Sequence, residues 1–597
     1  MCRIAGIIDS LKNAEQIKND VMSMCNAMKH GGPDDEGFYS DQDANLYFGH
    51  RRLALLDLSA SGHQPMLNQE ENLVIIFNGE IYNYLLLKAE LQILGCAFHT
   101  ESDTEVILLA YQKWGIASFA KLAGMFAFAL FDKNVQITYL VRDQLAIKPM
   151  YYYADQNQLI FASEVKAFNR ISYHFAENQD WKKYFLGFGH IPHPYTTLEN
   201  VFSLSGGHYL AWNHQTSDYT INRFIKDLEI WNDENASDSV AEVASKLSTS
   251  VKSHLMADAP IGVFLSGGID SSIITLVADQ LIGENLKSLS LNFTDVRFSE
   301  EKFQHIVAKK INGKHASLLV QEKDFDLCFN QIISAMDQPT NDGINAWFIN
   351  KFAKEAGLKA VLSGIGADEL LGGYPSFKRI EWINRLKRLP TSILRLATYL
   401  PSDKLKRIYY LSYQNPIGEY LFLRGFYTPD AIAKILSTNQ HEIDQLLEAF
   451  PIDKKVNDLQ GAERISWFET NLFMQNQLLK DTDFMSMQHG IEVRVPFLDQ
   501  NFINLLDQLP AEKRFPKRPK GLLIEAFRHI LPEEIWNRPK MGFSFPLQQW
   551  FIKGGQITDE QLYSKYPHAQ RLIRKFKMGK LHWSKAFALY QIVKNKP

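Results

Sequence analysis

Short apolar runs between polar or glycine-containing segments dominate the first third of the chain. Those rich in β-favouring residues predict strands at residues 3–8, 73–77, 125–131 and 137–141. Helical spacing of apolar side chains predicts a helix through Ile17, Val21, Met24 and Met28, and leucine content predicts helices at 80–94 and 104–114. This mixture of strands and helices predicts a layered α+β domain.

The pattern changes after a polar, acidic stretch at residues 227–239, which we interpret as the boundary between a first domain, 1–226, and a second, 227–597. Beyond it helices and buried strands alternate. The helices are predicted at 240–255 and 270–281, and the strands at 261–265, 286–293 and 316–320. Such alternation predicts a parallel sheet with crossover helices. From about residue 379 the pattern is mainly helical.

Composition narrows the class of protein. A chain of 597 residues exceeds what one hydrophobic core supports, and 46% hydrophobic with 22% charged residues is typical of globular proteins. A net charge of −3 gives no overall basic field, so we expect no nucleic-acid partner, although a local patch stays possible. No apolar run approaches the ~20 residues of a spanning helix, and we expect neither a signal peptide nor a membrane segment. Four scattered cysteines, Cys2, Cys25, Cys96 and Cys328, favour a reduced, cytoplasmic setting.

Cys2 stands directly behind the initiator methionine. Removal of that one residue would leave a thiol and a free α-amine in the same residue. An α-amine titrates near pH 8 and a free thiol at about 8.5, so the amine is able to take the thiol proton directly or through one water. The position predicts an N-terminal nucleophile; the alternative is a chance cysteine.

The strongest local motif is a strand, the segment Ser266-Gly267-Gly268-Ile269-Asp270-Ser271-Ser272 and a helix. Glycines let the backbone approach a ligand, while hydroxyls and helix N–H groups point at anionic oxygens. Asp270 would be repelled by phosphate unless a divalent cation lay between them, which implies Mg²⁺. No Gly-Lys-Ser/Thr is present, so the motif is not a P-loop. It resembles the pyrophosphate loop of enzymes that cleave ATP between the α and β phosphates.

A second glycine-rich segment, Leu362-Ser363-Gly364-Ile365-Gly366-Ala367-Asp368-Glu369, follows an apolar strand at 360–362. Loops after parallel strands open on the same edge of a sheet, where ligands of α/β proteins bind. We therefore expect Asp368 to share the metal with Asp270. The alternative is a glycine turn with a solvated acidic pair.

Further motifs carry a family resemblance. They are His30-Gly31-Gly32-Pro33-Asp34, Arg52-Leu53, Asn78-Gly79-Glu80-Ile81-Tyr82-Asn83, Ser102-Asp103-Thr104-Glu105, Glu492-Val493-Arg494-Val495-Pro496-Phe497-Leu498-Asp499 and Lys540-Met541-Gly542-Phe543. With Cys2 and the two glycine loops, the chain resembles glutamine-dependent asparagine synthetases of the bacterial B type, from residue 1 to at least 546. The resemblance implies an α+β domain of the N-terminal nucleophile kind, an αββα sandwich, followed by an α/β ATP-pyrophosphatase domain with a parallel sheet and a helical C-terminal part.

In the first domain, the resemblance implies that Cys2 attacks the side-chain amide of glutamine and forms a γ-glutamyl thioester, with Asn78 and Gly79 as the oxyanion hole. Arg52 would pair with the glutamine α-carboxylate and Asp103 with its α-ammonium. The expected glutamine contacts are Arg52, Leu53, Leu56, Asn78, Gly79, Glu80 and Asp103.

In the second domain, the resemblance implies ATP and Mg²⁺, with the metal at Asp270 and Asp368. A substrate carboxylate would attack the α-phosphate, and ammonia from Cys2 would reach the acyl-adenylate through a dry internal tunnel, giving the amide, AMP and pyrophosphate. The expected ATP contacts are Leu265, Ser266, Gly267, Gly268, Asp270, Ser271, Leu291, Ser363 and Gly364. Homodimers are common in the family, so a homodimer is a candidate here, although no interface can be read from the sequence.

The chain departs from the family pattern at four places. The arginine usual beside Gly32 in the first-domain motif is missing, and Ala146 stands where glycine is common. Ile365 stands where many members carry a carboxylate that takes part in forming the aspartyl-adenylate. Phe484 stands where a lysine or arginine of the synthetase site aligns; Lys480, four residues earlier, would face the same side of a helix and is a candidate substitute.

These departures leave the acceptor acid open. Aspartate is expected, and the alternative is the same chemistry on another carboxylate, such as a uronic acid of a surface glycan or a secondary-metabolite precursor. Intact glutamine-binding motifs disfavour a β-lactam synthetase, and the lack of basic excess disfavours an RNA-modifying sulfur transferase. A catalytically inactive scaffold is the reading that Ile365 and Phe484 leave open.

Overall fold

The computed structural model describes residues 2–225, 239–542 and 544–594. The predicted boundary at 227–239 lies, except for Ser239, outside the described residues, and so does Phe543. The strands are β1 (Arg3–Asp9), β2 (Asp35–Asp41), β3 (Leu46–Arg52), β4 (Met66–Leu67), β5 (Leu73–Ile81), β6 (Gly124–Asp132), β7 (Ile137–Arg142), β8 (Tyr151–Ala154), β9 (Gln158–Ala162), β10 (Phe202–Ser203), β11 (His208–Asn213), β12 (Asp218–Arg223), β13 (Ile261–Phe264), β14 (Lys287–Phe293), β15 (Lys314–Val320), β16 (Ala360–Leu362) and β17 (Glu492–Arg494).

The helices of the first half and of the parallel-sheet region lie between these strands. They are α1 (Ala14–Ala27), α2 (Tyr84–Ile93), α3 (Asp103–Trp114), α4 (Trp181–Phe188), α5 (Ser239–His254), α6 (Ile269–Ile282), α7 (Glu301–Ala308), α8 (Glu322–Ala335), α9 (Ile344–Glu355) and α10 (Ala367–Leu371). The C-terminal part is mainly helical, as predicted. Its helices are α11 (Ile380–Leu386), α12 (Thr391–Arg395), α13 (Asp403–Lys406), α14 (Ile417–Arg424), α15 (Pro429–Leu436), α16 (Gln440–Glu448), α17 (Gly461–Phe468), α18 (Leu479–Met487), α19 (Gln500–Gln508), α20 (Ala511–Arg514), α21 (Gly521–Ala526), α22 (Glu533–Trp536), α23 (Leu547–Gly554), α24 (Pro567–Lys577) and α25 (Trp583–Lys594).

Two antiparallel sheets form the centre of the first half, in the strand orders β10-β8-β9-β1-β3-β2 and β12-β11-β7-β6-β5-β4. Apolar side chains of both sheets, among them Ile4, Phe48 and Val74, fill the space between them. Helix α1 packs on the outer face of the first sheet, and α2 and α3 cover the outer face of the second. These four layers confirm the predicted αββα sandwich.

Strand β5 extends further than the sequence pattern predicted. The run predicted at 73–77 continues to Ile81, because its last residues pair with β6. The helix predicted from residue 80 begins instead at Tyr84, so that part of the prediction was wrong. Pairing across the sheet thereby holds Asn78, Gly79 and Glu80 in an extended, fixed position.

A parallel sheet in the order β15-β14-β13-β16-β17 forms the centre of the second half, as the alternating pattern predicted. One face packs with α5 and α6, and the other with α8 and α9. Helix α4 belongs by sequence to the first half, yet Trp181, Phe185 and Phe188 are buried in the C-terminal core. The two halves therefore share a core as well as a chain connection. Among the described residues, no helix has the length and apolar character needed to cross a membrane.

Candidate active sites

Cys2 lies immediately before β1, beside β5 of the facing sheet. Its side chain is buried, and its backbone N–H donates to the Asn78 Oδ1 atom at 3.1 Å. Burial raises the pKa of the Cys2 thiol, opposed by a hydrogen bond from the Leu53 backbone and by the charge of Arg52. In this enclosed position the thiol needs an adjacent base to become a nucleophile.

Asn78, which contacts Cys2, and Gly79 follow each other near the end of β5. Asn78 is fully buried, and its Nδ2 atom has no hydrogen-bond partner in the part of the chain that the structure describes. Leaving a buried donor unpaired is costly, so this amide is suited to a ligand oxygen. Gly79 admits no larger residue, because an added Cβ would overlap the Met125 carbonyl oxygen.

The Arg52 guanidinium is anchored by carbonyl groups of the loop after β3. It donates to the carbonyl oxygens of Ser59 at 2.9 Å and Leu56 at 3.4 Å, and to that of Asp57. The predicted contacts Leu53 and Leu56 therefore belong to the same segment that orients Arg52. A planar cation held in this way is suited to a carboxylate ligand.

Two buried carboxylates, Asp103 and Glu80, complete this site. Asp103 begins α3 and accepts a hydrogen bond from the Ile81 N–H at 3.0 Å. Burial raises the pKa of Asp103 to about 7, and it raises the pKa of Glu80 well above its ordinary value. Glu80 pairs with Arg494 of the second half at 3.2 Å. Its carboxylate thus links the two halves, in addition to any role with glutamine.

A cavity of about 1120 Å³ lies where the strands of the parallel sheet end. Both glycine loops border it, as the sequence predicted. Gly267 is the one predicted ATP contact that does not line it; this residue turns with φ +84°, and its carbonyl accepts a hydrogen bond from Arg538 at 2.9 Å. The predicted residues that line the cavity are Leu265, Ser266, Gly268, Asp270, Ser271, Leu291, Ser363 and Gly364.

The two loops are packed against each other within this cavity. A Cβ added to Gly364 would lie 2.9 Å from the Asp270 Cβ and 3.1 Å from the Ser271 backbone nitrogen. The hydroxyl of Ser266 in the first loop hydrogen-bonds at 2.9 Å to the hydroxyl of Ser271 in the first turn of α6. Backbone N–H groups and hydroxyls at a helix N-terminus form a site for phosphate oxygens.

Asp270 and Asp368 meet through Lys520, a residue that the sequence analysis did not single out. The Lys520 ammonium lies 2.6 Å from Asp270 and also contacts Asp368, while Lys540 lies 2.7 Å from Asp368. These cations lower the pKa of Asp368, and the two carboxylates raise the pKa of Lys520. The expectation that both aspartates share a metal ion stays a prediction; in the structure they share a contact with the Lys520 ammonium.

The donor set fits Mg²⁺ in the company of phosphates. Within the described ranges no cluster of three or more His, Cys, Asp or Glu side chains forms a metal cage. Mg²⁺ is commonly bound by one or two carboxylates together with substrate phosphates, and Asp270 and Asp368 provide that number.

Besides Glu300, three further carboxylates line the cavity: Asp342, Glu369 and Asp481. Burial raises the pKa of each, to about 7 for Glu369. Glu369 accepts a hydrogen bond from the Tyr374 hydroxyl at 2.7 Å. Asp342, Asp481 and Arg538 were not predicted as cavity residues; the Arg538 guanidinium pairs with Glu300 at 2.7 Å. Their positions along the chain gave no signal that they share one cavity.

The residues that depart from the family pattern lie in different parts of the structure. Ile365 lines the cavity and packs on the neighbouring apolar cluster. Phe484 points away from it, into the core around α1 and the first antiparallel sheet. Lys480 does not replace a cavity cation, because its Nζ lies 3.4 Å from the Ile191 carbonyl oxygen and outside the cavity lining. Ala146 keeps φ +55°, a conformation that favours glycine.

Strand β17 connects the two sites. The Arg494 carbonyl accepts a hydrogen bond from the Ser363 N–H at 2.8 Å, while its side chain pairs with Glu80 and, at 2.6 Å, with Glu492. Arg494 is fully buried, and its charge lowers the pKa of Glu492 to about 2 against the opposing effect of burial. One residue therefore contacts both the second glycine loop and the strand end that carries Asn78 and Gly79.

Comparison with known proteins gives a family match for each half of the chain. Residues 242–581 match the asparagine synthase family, and residues 1–224 match the glutamine amidotransferase domain family. The chain is 30% identical to asparagine synthetase [glutamine-hydrolyzing] 1 of Bacillus subtilis over 92% of this chain and 88% of that protein. It is 33% identical to putative asparagine synthetase [glutamine-hydrolyzing] 2 of Methanocaldococcus jannaschii over 70% and 86%. It is also 26% identical to amidase chry2 of Gibberella zeae, over 90% and 86%.

Proposed function

We propose, from the premise that the chain belongs to the asparagine synthase family and carries a glutamine amidotransferase domain, that it makes asparagine from aspartate, glutamine and ATP. Residues 1–226 would hydrolyse glutamine, and residues 227–597 would activate aspartate and form the amide. The products are asparagine, glutamate, AMP and pyrophosphate. The observation that carries this proposal is that one chain holds a buried Cys2–Asn78 pair and a cavity bordered by two glycine loops.

At the first site, a free α-amine on Cys2 would accept the thiol proton. The thiolate attacks the side-chain carbonyl carbon of glutamine, and the oxyanion that forms takes hydrogen bonds from Asn78 Nδ2 and the Gly79 backbone. The Cys2 α-ammonium then gives this proton to the leaving nitrogen, so collapse expels ammonia and leaves a γ-glutamyl thioester, which water hydrolyses to glutamate and the free thiol. Arg52 and Asp103 hold the α-carboxylate and α-ammonium of glutamine.

At the second site, a carboxylate oxygen of aspartate attacks the α-phosphorus of ATP, and pyrophosphate leaves. Ammonia then attacks the activated carbonyl carbon and AMP leaves. Lys520, Lys540 and Arg538 supply positive charge where the phosphates are bound. Asp270 and Asp368 would hold Mg²⁺, which neutralises phosphate charge when bound.

Aspartate as the acceptor is supported by the buried carboxylates of the cavity. Asp342, Glu369 and Asp481 lose solvation on burial, and a ligand with an ammonium group would restore a charge partner for them. Ile365 supplies no charge at its position, so a different carboxylic acid is the competing acceptor. A reducing, cytoplasmic setting fits the mechanism, because Cys2 acts as a thiol and the described cysteines are free.

Substitution of the nucleophile tests the proposal. Cys2→Ala is expected to abolish glutamate formation from glutamine, while asparagine and pyrophosphate continue to form from ammonium, ATP and aspartate. Cys25→Ala is the matched control, because this thiol is also buried but lies in α1 and its pKa is raised to about 12. We expect the control to retain both reactions.

Two results would contradict the proposal at different points. An unchanged glutaminase rate in Cys2→Ala would exclude the nucleophile. Pyrophosphate release with a second acid, such as a uronic acid, but not with aspartate would replace the acceptor and leave the rest of the mechanism in place.

A further inference from the structure

A strongly basic surface with exposed apolar side chains follows the second glycine loop. Residues 378–407, the basic apolar surface, contain nine lysines and arginines against two carboxylates, in a chain whose net charge is −3. The large apolar side chains exposed along it are Trp382, Leu389, Ile393, Leu396, Tyr399 and Leu405. Three of them are the most open: Trp382 is 62% exposed, Leu396 60% and Tyr399 83%.

The short helices of this surface are apolar on two faces. Helix α11 buries Ile383, and α12 with the turn after it buries Leu394 and Ala397, all within the C-terminal core. Helix α12, the turn Leu396–Tyr399 and α13 pack on one segment, Arg407–Ser412. Since the inward faces are already satisfied, the outward apolar side chains indicate a second contact surface.

The charges of the surface are only partly paired. Lys387 pairs with Glu419, and Arg385 with Glu381 at 3.7 Å. Arg388, Arg395 and Lys404 have no ion-pair partner among the described residues. The occupant of the surface must therefore be anionic and must also accept aromatic and aliphatic side chains.

We propose that the basic apolar surface docks on an anionic phospholipid bilayer. Trp382, Leu396 and Tyr399 would enter the headgroup region, and the lysines and arginines would face the lipid phosphates, the combination that peripheral interfacial segments use. Each such cation near an anionic leaflet strengthens binding about fivefold. This inference concerns a contact that does not span the bilayer, and it does not depend on the proposed reaction.

Two other occupants fit the observations less well. In a symmetric dimer formed through this surface, the same patch would face itself, so two strongly positive regions would repel each other. A nucleic acid would pair with the cations and stack on the aromatic rings but would gain nothing from Ile393, Leu396 and Leu405. A bilayer would contact both the cationic and the apolar side chains of the surface.

The basic apolar surface begins at the cavity that lies where the strands of the parallel sheet end. Tyr374, Phe377 and Lys378 line the cavity, and α11 starts at Ile380. Docking would therefore hold this side of the cavity near the lipid surface.

Co-sedimentation of the full chain with vesicles tests the inference. We expect binding to vesicles of phosphatidylcholine with phosphatidylglycerol, little binding to phosphatidylcholine alone, and release at high salt. The variant Trp382→Ala/Leu396→Ala/Tyr399→Ala is expected to lower binding about tenfold or more, and Arg388→Glu/Arg395→Glu/Lys404→Glu to abolish it. The matched control Leu86→Ala/Ile93→Ala/Leu327→Ala removes apolar side chains that are at least as exposed in α2 and α8, and should bind normally.

Failure of this inference is distinguishable from failure of the proposed function. Glutamine hydrolysis and pyrophosphate release are measured without vesicles, and we expect both apolar variants to match the wild-type rates. Wild-type protein that stays in the supernatant with anionic vesicles would overturn the inference. So would an equal loss of binding in the control variant, or a dimer that the Trp382 variant converts to monomer without any vesicle binding by the wild type.

Discussion

The Asp103 carboxylate controls the charge that the proposed glutamine site presents to an α-ammonium group. Burial raises its pKa to about 7 in the ligand-free protein. The group is therefore mostly protonated at pH 6 and mostly ionised at pH 8. Because only the carboxylate attracts an ammonium, the Asp103 contribution to kcat/KM for glutamine should rise about tenfold between these pH values.

Comparison of wild type with Asp103→Asn isolates this effect from titration at Cys2. Asparagine keeps an acceptor for the Ile81 N–H but cannot ionise. We expect the variant to show a raised KM for glutamine and to lack the rise around pH 7, while its ammonium-dependent synthesis follows the wild-type profile. Identical glutaminase profiles for the two proteins would exclude Asp103 from binding the α-ammonium.

Side-chain chemistry was predictable where the sequence presents it as a motif. Cys2, Asn78 and Gly79 could be named as candidates because they match short motifs of the family that the chain resembles, and the structure places Cys2 in contact with Asn78. Lys520 could not, because it lies 250 residues from Asp270 and enters the cavity through tertiary packing alone. The buried carboxylates Asp342 and Asp481 were missed for the same reason.

The local sequence pattern predicted some strands and loops correctly and others wrongly. The parallel sheet was predictable from alternating apolar segments, since each strand is followed by a crossover helix. The end of β5 was not, because its pairing with β6 overrides the helical appearance of the sequence from Glu80 onward. That error concerned the residues beside Cys2, and strand pairing is what gives them their fixed geometry.

The close approach of the two glycine loops leads to a prediction for ATP binding. In Gly364→Ala the new Cβ would meet the Asp270 Cβ at 2.9 Å and push the loops apart. Overpacking of this kind typically costs about 1–3 kcal/mol, so we expect KM for ATP in pyrophosphate release to rise about tenfold or more. Glutamine hydrolysis at Cys2 should be retained.

Gly542→Ala is the control for this loop prediction. Gly542 lines the same cavity, but an added Cβ would have no atom within 4 Å. We expect its KM for ATP to stay near the wild-type value. An unaltered KM in Gly364→Ala would mean that the spacing of the loops does not determine nucleotide binding.

Charge averaged over the complete chain concealed the basic apolar surface. A net charge of −3 led us to expect no nucleic-acid partner and left a local basic patch possible, and residues 378–407 are strongly positive. The expectation of no membrane segment concerned spanning helices and did not address short helices with exposed apolar side chains. The exposure of a side chain is a property of the folded molecule, and the sequence pattern does not give it.

Arg494 joins the two reaction sites within one buried network. Its side chain pairs with Glu80 at 3.2 Å, next to Asn78 and Gly79 of the proposed oxyanion hole, and its carbonyl accepts a hydrogen bond from the Ser363 N–H at 2.8 Å. Movement of the second glycine loop when ATP binds would therefore be transmitted through β17 to β5.

Arg494→Lys keeps the charge but loses the planar guanidinium group, which contacts several oxygen atoms at once. We expect each half-reaction to remain and their stoichiometry to change, with glutamate per pyrophosphate rising above about one as coupling weakens.

The matched control for this coupling is Arg464→Lys. Arg464 also forms a partly buried ion pair, with Glu419 at 2.7 Å, but lies in α17 and contacts neither site. Glutamate and pyrophosphate are measured in the same reaction with saturating aspartate, and thermal unfolding establishes that both variants fold. If Arg494→Lys keeps a ratio near one while Arg464→Lys does the same, the buried network serves stability alone. If the ratio rises only in Arg494→Lys, the ion pair with Glu80 coordinates ammonia release with acceptor activation, because this side chain alone of the two reaches the glutaminase site.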